Sequence, residues 1–287
     1  IFYLTFSFFL IGCSHWLGKS GHLAPGKKGV QIPDEAGEYP KVQEKDILRG
    51  SLSPFRSCYD VTYYDLSVKL NIEEKSITGN CQIKAIAQNN FDTLQVDLFE
   101  NMKIISIKKN EQDLAFYRQY NAVFIQIPDM KKDSLFAITI KYEGIPEEAK
   151  KPPWDGGFVW DKDKNNKPFI GVVCEGTGAS LWWPNKDHPS DEPDSMRLHI
   201  TVPDTLVAIG NGQLESIEKI GNMSTYKWFV NNPINNYNVT INIGDYVNIH
   251  DTLINSSGHH ELNHYVLSYN QETASFHFQQ AREVIHY

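Results

Sequence analysis

His260-Glu261-Leu262-Asn263-His264 is a literal His-Glu-x-x-His. On a helix the two histidines would share one face and could hold a zinc ion, with Glu261 beside them as general base. The flanks oppose a helix. Asn255-Ser256-Ser257-Gly258 is loop chemistry, which leaves no apolar turn ahead of the first histidine. Tyr265-Val266-Leu267-Ser268-Tyr269 favours a strand where a metal-binding helix would have to continue. The run therefore reads as a polar turn entering the strand HYVLSYN, and no metal ligand and no catalytic residue is assigned in this chain.

A second stretch, Gly171 to Pro203, reads GVVCEGTGASLWWPNKDHPSDEPDSMRLHITVP. It links an apolar run to the alternating Leu198, Ile200 and Val202. A linker this rich in charge and proline is more often functional than connective. Glu175 ends the first run, and Gly176 and Gly178 behind it let the backbone approach a ligand closely. Asp187, His188, Asp191, Glu192 and Asp194 can be read as a hard-cation site or as a hydrogen-bonded loop stiffened by proline; the loop is favoured. Trp182, Trp183 and Pro184 could wall a pocket, but large aromatics beside proline more often pack an interface. Trp154-Asp155-Gly156-Gly157-Phe158 is a second glycine-bearing loop, which either approaches the same side or is a plain tight turn.

The elements that must position these groups are strands. From Tyr59 to about Val247 the apolar residues recur with period two: Tyr64, Leu66, Val68, Leu70 and Ile72; Ile83, Ala85 and Ala87; Leu94, Val96 and Leu98; Val123, Ile125 and Ile127; Ile138, Ile140 and Tyr142; Tyr237, Val239, Ile241 and Ile243. Gly, Asn and Asp separate the runs as turn residues. The prediction is mainly β, with a large antiparallel domain over residues 54–253. After Asn270 the pattern changes: Ala274, Phe278, Ala281 and Ile285 fall on one helical face, with Asn270 as N-cap and Glu272 in the first turn.

The ends carry a separate message. Phe2 to Ile11 is apolar but too short to span a bilayer, and reads as the core of a signal peptide over residues 1–12. Leu10-Ile11-Gly12-Cys13 resembles a bacterial lipobox, with Cys13 as the lipidated residue. A polar tether is expected over residues 13–53. That places the protein in the bacterial cell envelope as a periplasmic or outer-membrane lipoprotein, with the membrane as a partner through the anchor. The remaining cysteines, Cys58, Cys81 and Cys174, are odd in number and stand at no metal-like spacing. A net charge of −8 argues against nucleic acid. Ile1 in place of Met, and a helical pattern that continues to Tyr287, read as a fragment.

In its order of parts, Gly171–Pro203 resembles the segment ahead of the catalytic domain in the zinc aminopeptidases of the aminopeptidase N and leukotriene hydrolase family (gluzincin aminopeptidases). The resemblance is carried by Glu175 at a strand end, then Trp183-Pro184, then Asp191-Glu192-Pro193 leading into the next strand. It implies a saddle-like antiparallel β-sandwich domain followed by the start of a thermolysin-like helical catalytic domain at residues 254–287. It further implies that Glu175, with Gly176, meets the free α-ammonium of a peptide substrate, a task suited to a carboxylate. Val173 stands where the family often has Gln, two residues earlier, and Asn185-Lys186-Asp187-His188-Pro189-Ser190 lengthens the loop. Asp191-Glu192-Pro193 is structural in the family. Glu283, with eighteen residues between it and His264, has the family's third-ligand spacing. The family's metal helix, however, follows a Gly-x-Met-Glu-Asn strand that is absent upstream here, so zinc is expected beyond residue 287. The implied function is the substrate-anchoring domain of a zinc aminopeptidase, inactive as this piece alone. The alternative is a non-catalytic, lipid-anchored β-module that binds peptide or protein.

Overall fold

The structure, a computed structural model, describes residues 41–255 and 258–286. Cys13, the expected signal peptide and the tether up to residue 40 lie outside the described residues. Two short helices lead, α1 (Glu44–Gly50) and α2 (Pro54–Ser57). In α1, Asp46 accepts a hydrogen bond from the Gln43 backbone N–H at 2.9 Å, closing the first turn. In α2, Pro54 takes the first helical position, where a missing N–H does no harm. The strands follow as β1 (Tyr59–Asn71), β2 (Ser76–Ala87), β3 (Phe91–Asp97), β4 (Met102–Lys109), β5 (Gln112–Asp113) and β6 (Phe116–Gln119). Then come β7 (Ala122–Met130), β8 (Leu135–Gly144), β9 (Gly157–Lys162), β10 (Pro168–Val173), β11 (Ser195–Pro203) and β12 (Val207–Ile209). The set closes with β13 (Gln213–Ile220), β14 (Met223–Val230), β15 (Asn242–Gly244), β16 (Tyr246–Asn255) and β17 (Gly258–Leu267), then α3 (Gln271–His277) and α4 (Gln279–His286).

One sheet has eight strands in the order β13-β14-β11-β1-β2-β8-β4-β5. A four-stranded sheet runs β12-β15-β10-β9, and a three-stranded sheet runs β3-β7-β6. The alternating residues of β1, β2, β8 and β11 face inward and join Leu94, Val96, Val123, Ile125, Ile170 and Ile243 from the smaller sheets in one contiguous core. The mainly β prediction holds. Among the described strands one pair departs from the antiparallel rule: β1 and β11 run parallel, in register from Tyr63↔Ser195 to Lys69↔Thr201. Parallel neighbours need a long crossover, and everything from β2 to the Asp191–Asp194 turn supplies it.

Other expectations are corrected. Part of the stretch read as tether is the helix α1. It buries no side chain and is held by polar links: Gln95 Nε2 donates to the Leu48 carbonyl at 3.1 Å, and Gln119 Nε2 to Glu44 at 2.7 Å. The alternation at Tyr237–Ile243 is not one strand. Asn236–Asn238 forms a 3-10 turn and pairing starts at Asn242, although Val239, Ile241 and Ile243 are all buried as the pattern required. Residue 253, the expected end of the β-domain, lies within β16, whose pairing with β17 runs from Tyr246↔Leu267 to Asn255↔Gly258. The terminal helix is interrupted at Phe278, and Asn270 occupies the N-cap position without a side-chain cap bond.

Candidate functional site

Glu175 sits in the turn just after β10. Both the Thr177 and Gly178 N–H groups donate to the Cys174 carbonyl, at 3.1 and 2.9 Å, which folds the chain back and leaves Glu175 and Gly176 exposed. Gly176 has φ +66, a left-handed value that favours glycine. Three elements brace this turn. From α1, Arg49 Nη2 donates to the Gly176 carbonyl at 2.6 Å. From the loop before β9, Gly156 lies so close that a Cβ there would stand 1.7 Å from Thr177 Oγ1 and 2.7 Å from the Glu175 carbonyl oxygen. The loop Trp154–Phe158 thus reaches the Glu175 side, one of its two sequence readings.

The third brace comes from beyond β14. β10 and β15 pair antiparallel with Ile170↔Ile243 and Gly171↔Asn242, and carrying that register on brings residues 237–240 alongside Val173–Gly176. Thr240 Oγ1 donates to the Val172 carbonyl at 3.1 Å, and the Tyr237 hydroxyl donates to Glu175 Oε2. The carboxylate holds the phenol in its protonated form, pushing the Tyr237 pKa up to about 12. Tyr237 was missed by sequence reasoning, which placed it among the inward-facing residues of a strand. A cavity of about 420 Å³ opens between α1 and the turn, lined by Asp46, Arg49, Gly50, Gly176, Gly178 and Asp187.

Beneath the turn lies a buried polar network. Asp187 Oδ2 accepts from the Ser180 N–H at 3.0 Å and its hydroxyl at 2.6 Å, fixing the 3-10 turn at Ala179–Leu181. Asp97 on β3 receives Arg56 of α2 on both oxygens, Nη2 at 2.7 Å and Nε at 3.2 Å, and also the Asp187 N–H at 3.2 Å. Lys186, itself buried, pairs with Asp191 at 2.6 Å, while Asp191 also takes the Val61 N–H at 3.1 Å. His188 Nδ1 lies 2.9 Å from the Ser190 hydroxyl. The five residues that could have made a cation site are thus divided: three are committed to protein partners, while Glu192 and Asp194 are exposed. Trp182 and Trp183 are fully buried. Trp183 meets Tyr64 edge-on at 4.8 Å and Trp182 meets Phe158 at 6.2 Å, so they pack the core and wall no pocket.

A model of the Peptidase M1 N-terminal domain matches residues 61–237. The chain belongs to the M1 peptidase family. Among solved structures, this M1 domain is similar to the M1 zinc metallopeptidase of Deinococcus radiodurans in a mutant form bound to a Tyr-Ser-Ala substrate. The TM-score is 0.62 at 17% identity, over 73% of this chain and 48% of that one. Another structure of M1 zinc metallopeptidase from Deinococcus radiodurans gives a TM-score of 0.59 at 16% identity, over 72% and 46%. A two-domain M1 zinc metallopeptidase mutant bound to L-arginine gives 0.63 at 17%, over 73% and 48%. At such identities the likeness shows the fold, and the chain spans about half the length of the solved structures it matches. Comparison with curated proteins finds no match.

The His-Glu-x-x-His run lies beyond the matched residues 61–237 and does not fit zinc. It lies within β17, where His260 and His264 are roughly 13 Å apart along the strand. Ligands that each bond zinc at about 2 Å cannot both reach one ion from there. Glu261 alternates to the other face, between His250 and His259 Nδ1. Among the described residues no group of three or more His, Cys, Asp or Glu is placed to hold a metal. The strand begins before the motif, so the expected turn is itself part of the hairpin. Among the described residues Cys58, Cys81 and Cys174 are buried free thiols, and burial pushes Cys174 up to about 12, away from reactivity.

Proposed function

We propose that this chain is the substrate-anchoring part of a zinc-dependent aminopeptidase, in which Glu175 receives the free α-ammonium of the peptide and Gly176 lets the peptide come close to the turn. The observation that carries the reading is an exposed carboxylate on a turn braced from three sides, within a domain of the M1 family. An ammonium met by a fixed carboxylate is both bound and oriented, and an internal peptide bond has none to offer. The chemistry would be supplied by zinc held by residues outside this chain.

The test uses the full-length enzyme. Glu175→Gln should raise KM for a substrate with a free N-terminus. A charged hydrogen bond of about 1.5–3 kcal/mol corresponds to a loss of about ten- to a hundredfold in kcat/KM. An unchanged kcat/KM would overturn the assignment. The same reading takes Cys13 as lipidated and the enzyme as a cell-envelope lipoprotein. Metabolic labelling with an alkyne fatty acid should mark the wild type and spare Cys13→Ser; labelling of both would refute it.

A further inference from the structure

We propose that Tyr237 is a positioning residue that sets the Glu175 carboxylate for the substrate ammonium. This rests on the amino-group role given to Glu175 above. An exposed glutamate has three freely turning side-chain bonds, and an anchor that wanders binds without orienting. The Tyr237 hydroxyl takes up Oε2, while Oε1 has no hydrogen-bond partner among the described residues. One oxygen is therefore spent on geometry and one is left for ligand.

The phenol is itself fixed by backbone. The Tyr237 N–H donates to Asn235 Oδ1 at 2.9 Å, Asn211 Nδ2 donates to the Asn238 carbonyl at 3.0 Å, and the Thr240 N–H donates to Asn211 Oδ1 at 2.8 Å. Those bonds tie the 3-10 turn to the four-stranded sheet that also carries β10, so both partners ride on one frame.

The chemical type of the partner matters as much as its place. An arginine or lysine would fix the carboxylate equally well but would neutralise it, leaving little attraction for an incoming ammonium. A phenol donates a hydrogen bond and brings no positive charge of its own. With its pKa near 12, it remains a donor at any pH where a peptide amine is charged.

The experiment is a double-mutant cycle on the full-length enzyme with a free-N-terminus substrate. Tyr237→Phe keeps the ring and should raise KM, lowering kcat/KM about tenfold at unchanged melting temperature. Adding it to Glu175→Gln should cost less than about a further twofold. If Tyr237→Phe leaves kcat/KM intact while Glu175→Gln lowers it, the positioning role fails and the anchor stands. If Tyr237→Phe costs the same factor in both backgrounds, Tyr237 acts apart from Glu175 and the inference is overturned. No effect of Glu175→Gln would sink the anchor, and the inference with it.

Discussion

Gly178 shows how tightly single residues are specified near the turn. Its φ is +81, and a Cβ there would stand 2.4 Å from Asp187 Oδ2, the oxygen that holds Ser180. Gly178→Ala should therefore destabilise the protein by about 1–3 kcal/mol through strain and a displaced Asp187, read as a lower urea midpoint. An unchanged midpoint would mean that the turn has slack. Gly176 differs: its φ is also positive, but no atom lies within 4 Å of a Cβ placed there. Sequence could name both glycines as special, because relaxed backbone after a strand is legible from residue type. It could not tell which one is packed and which one is open, since Asp187 meets Gly178 only after the loop has folded.

Elements divide in the same way. Where one face of a strand is buried, period two is enforced by packing and can be read directly, as in β1, β8 and β11. The hairpin of β16 and β17 obeys pairing more than patterning: polar residues such as His259, Glu261 and Asn263 extend because β16 supplies the hydrogen bonds. Its far side meets the terminal helices. His264 stacks on Phe278 with ring centroids 4.2 Å apart, and Arg282 reaches Asp251 at 3.1 Å. Burial holds the His264 imidazole below its ordinary 6.5, so the docked hairpin prefers the neutral ring. A depressed histidine contributes its stability fully above the unfolded value and loses it as pH falls through the folded one. Hydrogen exchange in α3 and α4, corrected for intrinsic rate, should accelerate on going from pH 7 to pH 5. His264→Phe should abolish that change; persistence of the change in the variant would assign it to another group.

At the scale of the whole molecule, the buried ion pair of Arg56 and Asp97 is a junction more than a local bond. Arg56 Nη1 also donates to the Arg49 and Ser51 carbonyls, at 3.0 and 2.7 Å, and Asp97 takes the Asp187 N–H, so the pair ties α1, α2, β3 and the Asp187 loop together. Composition gave no warning of it, because residues so far apart in sequence become neighbours only through the tertiary fold. The parallel pairing of β1 with β11 carries a consequence for birth rather than for function. As the chain leaves the ribosome, β1 can zip to β2 at once, but its other edge has no partner until Ser195 to Thr201 emerge. At synthesis rates of about 5–20 residues per second that interval is on the order of ten seconds. Throughout it, the central strand of the largest sheet offers an open, apolar rim to any neighbouring chain, and crowded translation should favour a holdase over that window.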